Sequence, residues 1–346
     1  MKKIFSLLAL VLLAITLVAC GDSDKRTGDT VEITQTITVT TDKKNDKGDF
    51  ITEKQKVTQK MFVNPTRVVS FSYGVADMLY QVNLFDAGIK EFALAKGTGV
   101  PSIIKQFDSD VYPNAGTLFE DNREVIDLIN PELIILDGRS SGLYSGLKKA
   151  YPNADILDAS NTTYALSKQQ EVVEILGKLF PKVKAKLDEK MASIVEDFNG
   201  ISEISKEYKA LFLMSSGKDL SVSGKTGRYG VLHNEFGFAE ADKDGAVGDA
   251  HGNVISLEYL KTLDDNGTLD VIFIMDRAKA VGNIESGLAS LKNEAQFKAL
   301  NAVKNGRVYE LNPDAWYLVT GGFSSTEQMV KDIMTFINDV TNESSK

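Results

Sequence analysis

One long amphipathic helix divides the 346-residue sequence into two segments that share the same alternation of strands and helices. Pro181, a favoured first helical residue, precedes apolar residues at spacings of three and four that continue to Phe198. Before this helix, apolar runs such as Leu133–Leu136 predict buried strands, and after it Val271–Met275 predicts another. Strands that alternate with helices are typical of α/β sheets. The sequence therefore predicts an α/β protein of two lobes joined by a single long helix.

The same alternation of strands and helices predicts boundaries for the two lobes and the linking helix. The N-terminal α/β lobe is predicted over residues 31–180, the linking helix over 181–203 and the C-terminal α/β lobe over 204–346. The first lobe begins with a predicted hairpin, because residues 31–40 and 50–58 show strand patterns on both sides of a charged turn. A chain of this length can bury two separate hydrophobic cores.

The N-terminus has the pattern of a lipoprotein signal peptide. Two lysines precede an apolar run that is too short to span a bilayer and that ends at Ala19-Cys20. Residues 1–19 are therefore predicted to be removed, which leaves Cys20 as an acylated anchor in the cell membrane, with the protein outside the cytoplasm. Cys20 is the only cysteine, which excludes an internal disulfide and a cysteine-rich metal cluster. Residues 20–30 are small, charged and polar, as in a flexible tether.

Charge and residue types argue against several functions. A formal net charge of −9 disfavours nucleic acid as a partner, since phosphate binding needs a basic face. The only two histidines are His233 and His251, and no Gly-x-Ser-x-Gly motif is present. We predict that the chain is not an enzyme, has no intrinsic cofactor and is a monomer. A lipid-anchored extracytoplasmic hydrolase or sensor is the alternative from a different class.

Three arginines in similar positions suggest an anion-binding cleft. Arg139, Arg228 and Arg277 each follow a predicted strand, Arg228 through a Gly-Lys-Thr-Gly loop. Ligands of open α/β sheets bind in the crevice beyond the carboxyl ends of the strands. Taken singly, each arginine fits a surface position beside a carboxylate, but the repeated position in two lobes favours one shared site. A guanidinium stays charged and donates two parallel hydrogen bonds, which suits an oxyanion ligand.

Two further residues have side chains that can bind ferric iron. His251 lies in a glycine-bounded loop without apolar periodicity, and Tyr317 lies in the aromatic turn Asn312–Tyr317. Imidazole and phenolate are both ligands for ferric iron. A solvated loop histidine and a packing tyrosine are the simpler alternatives for these two residues.

From about residue 64 to residue 340, the chain resembles the class III substrate-binding proteins of iron–siderophore ABC importers, and is most similar to the catecholate and petrobactin binders. The matching segments are Asn64–Val69, Glu132–Arg139, Gly227–His233, His251-Gly252, Asp276-Arg277, Gly282-Asn283 and Asn312–Leu318. The resemblance implies the class III periplasmic-binding-protein fold. It also implies a receptor that binds a ferric catecholate siderophore and delivers it to the subunits of an ABC permease.

The resemblance assigns roles to single residues. Arg139, Arg228 and Arg277 match an arginine triad that contacts catecholate oxygens. His251 and Tyr317 match a pair that completes the coordination of iron when the siderophore is tetradentate.

The resemblance also implies contacts with the permease, and it leaves other ligands as alternatives. By position, Glu124 and Glu258 match the glutamates that dock the two lobes to arginines of the permease. A hydroxamate siderophore, haem or cobalamin is the alternative ligand within the binding proteins. Three convergent arginines disfavour neutral hydroxamate complexes, and two histidines are too few for a direct zinc or manganese site.

Overall fold

The computed structural model describes residues 26–242, 252–282 and 285–344. The predicted signal peptide, Cys20 and His251 lie outside the described residues. Within the described ranges, no helix has both the length and the apolar character needed to cross a bilayer.

The first half of the chain contains a hairpin and a parallel sheet. Its strands are β1 Thr30–Lys44, β2 Phe50–Phe62, β3 Arg67–Ser70, β4 Glu91–Leu94, β5 Leu133–Leu136 and β6 Asp155–Asp158. The last four form a parallel sheet in the order β4-β3-β5-β6, so their carboxyl ends share one edge. β5 is buried along its whole length, as expected for a parallel strand covered on both faces.

Helices and short 3₁₀ turns connect these strands. Their bounds are α1 Tyr73–Gln81, α2 Arg123–Ile129, α3 Tyr144–Ala150 and α4 Leu166–Leu179, with 3₁₀ turns at Ser102–Asp108 and Ser141–Leu143. The Asn122 side chain caps α2 by accepting from the backbone N–H of Val125 at 3.4 Å. Asn122 N–H also donates to Ala115 O, and Ala115 N–H donates to Leu94 O at the end of β4, so α2 begins at the carboxyl edge of the sheet.

The predicted hairpin is confirmed and is longer than expected. β1 and β2 pair antiparallel, with Thr40 opposite Thr52. Gln35 of β1 donates to Ile156 O and accepts from Asp158 N–H, both at 2.8 Å. β6 is an edge strand, and this side chain therefore satisfies backbone groups that the sheet leaves unpaired.

The end of the predicted tether is attached to the fold. Arg26 donates to Glu132 O at 3.0 Å and pairs with the Asp155 carboxylate at 3.3 Å. These two residues lie at the amino ends of β5 and β6. A flexible tether over all of residues 20–30 is therefore wrong for its last five residues, because two partly buried carboxylates hold Arg26.

The predicted linking helix is present. A 3₁₀ turn at Pro181–Val183 leads into α5, Lys184–Ser205, which buries apolar residues from Leu187 to Ile201. This helix separates the two sheets in the sequence. The lobe boundaries given above stay a prediction.

The second half contains a mixed sheet. Its strands are β7 Lys209–Ser216, β8 Asp219–Ser223, β9 Ala239–Glu240, β10 Asn253–Ile255, β11 Val271–Asp276 and β12 Val308–Leu311. The order is β10-β8-β7-β11-β12, with β9 paired to β7. β7 and β11 are parallel, whereas β8 is antiparallel to β7. The carboxyl end of β8 therefore points away from the edge that β7 and β11 share.

Short helices and one long C-terminal helix surround this sheet. Their bounds are α6 Val231–Asn234, α7 Leu257–Asp265, α8 Arg277–Val281, α9 Leu288–Asn293, α10 Ala295–Lys298, α11 Asn301–Lys304 and α12 Phe323–Ser344. α12 packs against α5 and α1. Asp77 of α1 accepts from the Ser324 backbone at 2.7 Å and from its hydroxyl at 2.8 Å. A Cβ on Gly74 would lie 2.0 Å from Thr320 O, so α1 needs glycine here to approach this segment.

Candidate functional site

Tyr317 lies at the centre of the candidate site, in a π-helical turn at Asp314–Leu318. The neighbouring Trp316 is fully buried and donates its indole N–H to the Asp332 carboxylate at 2.9 Å. This buried tryptophan fixes the turn and leaves Tyr317 half-buried, with its ring and its carbonyl available to other side chains.

All three predicted arginines contact Tyr317. Arg139 and Arg228 donate to its carbonyl oxygen at 2.6 and 2.9 Å, and Arg277 Nε donates to its phenol oxygen at 3.0 Å. Their guanidinium carbons lie 4.8, 4.8 and 5.5 Å from the ring centroid, within cation–π range. The structure therefore brings four of the five predicted ligand-binding residues together.

Arg139 and Arg277 reach the site from the carboxyl ends of parallel strands. Arg139 follows β5, and the Asp137 carboxylate accepts its backbone N–H at 3.0 Å. Arg277 begins α8 directly after β11, and Asp276 caps that helix through the Ala278 N–H at 3.0 Å. Both residues therefore lie where the sequence predicts them, beyond the carboxyl end of a parallel strand.

Arg228 reaches the same point by another route. It follows β8, whose last residue, Ser223, lies opposite Phe212 near the middle of β7. A loop then returns the chain to the cleft, and a Cβ on Gly230 would lie 2.2 Å from Lys225 O. Arg228 ends beside Tyr164 and donates to its hydroxyl at 3.1 Å. The expectation that Arg228 lies at a shared carboxyl edge is therefore wrong, although Arg228 still contacts Tyr317 beside the other two arginines.

The arginine cluster gathers three positive charges that no ion pair neutralises among the described residues. Like charges gathered around one side chain repel each other, because the effective dielectric near a protein surface is well below that of water. An anion that binds between them removes this repulsion, so the site favours a multiply charged anionic ligand.

The same cluster changes the acidity of Tyr317. Burial opposes ionisation, but the hydrogen bond from Arg277 and the charges of Arg277, Arg139 and Arg228 together lower the pKa of the Tyr317 phenol below its usual value. Burial instead raises the pKa of six other tyrosines, which are Tyr73, Tyr112, Tyr144, Tyr151, Tyr229 and Tyr309. The Tyr317 phenol therefore ionises more readily than an ordinary tyrosine.

A cavity of about 150 Å³ opens beside the arginines. Arg139 and Arg228 line it together with Asn161, Thr162 and Thr320. Asn161 and Thr162 lie in the loop after β6 and were not predicted as site residues. The apolar pair Ile156-Leu157 indicates the strand before this loop, so residues beyond its carboxyl end could have been considered for the cleft.

Tyr164 was also missed. Its hydroxyl donates to Trp316 O at 2.6 Å and accepts from Arg228, so it joins the loop after β6 to the Tyr317 turn. The segment Asn161–Tyr164 has no residue type that indicates this contact by itself.

The remaining predicted residues lie elsewhere. Glu124 and Glu258 are exposed in the first turns of α2 and α7, at equivalent helix starts. His233, which was not predicted to bind ligand, is buried and bonded through Nδ1 to Phe238 O at 3.0 Å. Within the described ranges, no group of three or more His, Cys, Asp and Glu side chains is placed to hold a metal ion.

Comparisons with known proteins agree with this architecture. Residues 68–315 match the family described as periplasmic binding protein. The petrobactin-binding protein YclQ of Bacillus subtilis is 29% identical, with 96% of this chain and 98% of YclQ covered. The ferric-anguibactin-binding protein FatB of Vibrio anguillarum is 26% identical, with 78% and 82% covered.

Solved structures show the same fold. The YclQ crystal structure superposes with a TM-score of 0.72 at 28% identity, covering 86% of this chain and 97% of that one. The periplasmic catecholate-siderophore binding protein VctP of Vibrio cholerae has a TM-score of 0.70 at 27% identity, covering 88% and 100%. The predicted fold class, α/β of the class III periplasmic-binding-protein type, is confirmed.

Proposed function

The chain belongs to the periplasmic binding protein family, and we propose that it captures a ferric catecholate siderophore outside the cytoplasm and delivers it to an ABC permease. Its relatives are binding components of iron uptake and not enzymes, which confirms the prediction that this chain is not an enzyme. The ferric siderophore is accordingly a transported ligand and not a cofactor.

One observation carries the choice of ligand class: three guanidinium groups without carboxylate partners among the described residues converge on one tyrosine. Ferric catecholate complexes are anionic, and guanidinium forks donate to their oxygens with charge assistance. The names of the relatives YclQ and VctP support the same class. A neutral hydroxamate complex offers no charge to offset the repulsion within the cluster.

A titration tests this proposal. Trp316 is the only tryptophan and adjoins Tyr317, so its fluorescence is expected to change when a ligand enters the cleft. Ferric petrobactin and a ferric tris-catechol should bind, whereas a neutral ferric hydroxamate should bind at least about tenfold more weakly. The charge-transfer band should stay constant with time, because a receptor does not degrade its ligand. Equal binding of the hydroxamate and the catecholates would contradict the proposal.

Glu124 and Glu258 are proposed to dock the two lobes to arginines of the permease. Both side chains are exposed, and neither lines the cavity beside the arginines. Glu124→Lys and Glu258→Lys are each expected to reduce siderophore uptake by cells about tenfold or more, because reversing a docking charge replaces attraction by repulsion. Affinity for the ferric siderophore should stay within error. A large loss of affinity would place the residue in the ligand site instead.

Cys20 is proposed to carry the lipid that holds the receptor at the membrane, since Ala19-Cys20 ends the signal-like sequence. Cys20→Ala is expected to move the protein from the membrane fraction to the periplasm or medium, with siderophore affinity unchanged. Fractionation and immunoblotting measure this distribution, with Cys20→Ser as a second variant that cannot be acylated at sulfur. A Cys20→Ala protein that stays in the membrane fraction would show that the anchor is elsewhere.

A further inference from the structure

In the described part of the fold, no hydrogen bond or ion pair joins the outer half of the β1–β2 hairpin, residues 42–56, to another element. Every residue from 42 to 56 is exposed. An isolated two-stranded hairpin is only marginally stable in water, and an exposed strand edge is usually covered or very short. β2 nevertheless continues for 13 residues. The hairpin therefore presents a long ordered surface without a partner in this chain.

The direction of the hairpin follows from its contacts with the parallel sheet. Near its base, Phe62 N–H donates to the Asp155 carboxylate at 2.8 Å, at the amino end of β6. Gln35 contacts the carboxyl end of β6, and Thr40 N–H donates to Ser145 Oγ at the start of α3 at 2.9 Å. Thr40 thus lies about 17 Å beyond Gln35 at the usual strand rise. The tip extends past the carboxyl edge of the sheet, on the side of the ligand site.

The docking glutamate of the same lobe begins a helix at this edge. Glu124 is in the first turn of α2, and its neighbour Arg123 lies against α3, with a guanidinium nitrogen 3.7 Å from a Cβ placed on Gly146. Ser145, which holds the hairpin, is the preceding residue of α3. The hairpin therefore leaves the lobe beside the surface proposed to face the permease.

The tip of the hairpin carries the kinds of side chain that are found in protein–protein interfaces. Phe50 and Ile51 are 57% and 37% exposed, and Lys44 lies over the Phe50 ring with its nitrogen 4.7 Å from the centroid. Residues 42–56 carry five lysines against three aspartates and one glutamate, a formal charge of only +1. A surface that binds anionic lipid needs a strong positive excess, which this segment lacks. An aromatic side chain within nearly balanced charges is typical of a protein interface.

We propose that residues 42–56 form a second docking element, which contacts the extracytoplasmic surface of the ABC permease beside Glu124. This inference rests on the proposed function, because it needs a permease as the partner. The hairpin lies before residues 68–315, the part that matches the family, so it is positioned to add partner selectivity to a shared fold. Phe50 supplies the main apolar contact, and the paired strands hold it away from the lobe.

Two variants test the hairpin. In the first, residues 41–51 are replaced by Asn-Gly, which closes a two-residue turn between the paired Thr40 and Thr52 and keeps the register below it. The second, Phe50→Ser with Ile51→Ser, keeps the length and removes only apolar surface. The matched control is Phe85→Ser, because Phe85 is 73% exposed but lies at the amino edge of the same sheet.

Uptake of radiolabelled ferric petrobactin by cells that express the chain with its importer is the main measurement. Both hairpin variants should lower uptake about five- to thirtyfold, the effect of losing an interface hot spot, while petrobactin affinity and melting temperature stay unchanged. Phe85→Ser should transport normally. Normal uptake by the hairpin variants, while Glu124→Lys still blocks it, would overturn the hairpin proposal alone. Failure of the wild type to bind any ferric siderophore would overturn the proposed function itself.

Flotation with vesicles of phosphatidylglycerol and phosphatidylethanolamine separates the two possible partners. The mature chain from Gly21, without its lipid, is expected not to float with the vesicles. Flotation that is lost when the hairpin is shortened would assign residues 42–56 to the lipid surface and overturn the permease contact.

Discussion

Replacing Arg228 by alanine is expected to weaken binding of an anionic ferric catecholate by roughly tenfold to a hundredfold. A charge-assisted hydrogen bond is worth about 1.5–3 kcal/mol, and Arg228 is one of three guanidinium groups that share this site. Arg228 also donates to Tyr164 and Tyr317, so its loss loosens the wall of the cavity. Arg139→Ala and Arg277→Ala should act in the same direction.

The dependence on ligand charge distinguishes this effect from damage to the fold. Affinity for a neutral ferric hydroxamate, measured by tryptophan fluorescence, should change far less in all three variants. Arg307→Ala is the matched control, because Arg307 precedes β12 and pairs with Glu343 at 3.1 Å, at the amino edge of the second sheet. Small and equal effects on both ligands would rule out the arginine cluster as the anion site.

Tyr317→Phe is expected to weaken a ferric bis-catechol complex by about tenfold or more and to shift its charge-transfer band. Ferric iron prefers six donors, and a bis-catechol supplies four, which leaves positions for protein ligands. The arginines lower the pKa of the Tyr317 phenol, so the anionic oxygen that coordination needs forms more readily here than at an ordinary tyrosine. A tris-catechol fills all six positions, and its affinity and band should change little.

Tyr164→Phe is the matched control for direct coordination. Its hydroxyl lies in the same site but donates to Trp316 O, so its removal should leave the band unshifted for both ligands.

A pH titration gives a second readout. Because the Tyr317 pKa is lowered, the first phenolate absorbance on raising pH should come from Tyr317 and disappear in Tyr317→Phe. In Arg277→Ala that absorbance should appear at higher pH. If Tyr317→Phe weakens the bis-catechol complex more than the tris-catechol complex and shifts neither band, Tyr317 donates a hydrogen bond to the ligand and does not coordinate the iron.

Local sequence patterns were enough to predict the elements. The alternation at residues 31–40 and 50–58 predicts the hairpin, and the apolar spacing after Pro181 predicts α5. These patterns work because side-chain direction repeats with a fixed period in strands and in helices. Arg139 and Arg277 could be placed in the cleft for a related reason, since each directly follows a parallel strand whose carboxyl end faces the crevice.

What the sequence by itself determined was therefore the α/β class, the single long helix, the hairpin and the residue types of an anion site. Only the tertiary structure decided how that site closes. β8 runs antiparallel, so the position of Arg228 depends on its loop and on Tyr164, 64 residues away. Tyr317 attracts two arginines through its carbonyl, a group that every residue has and that no sequence pattern marks. Strand direction and backbone contacts between distant segments are fixed by packing of the whole chain, whereas periodicity records only the burial of each local segment.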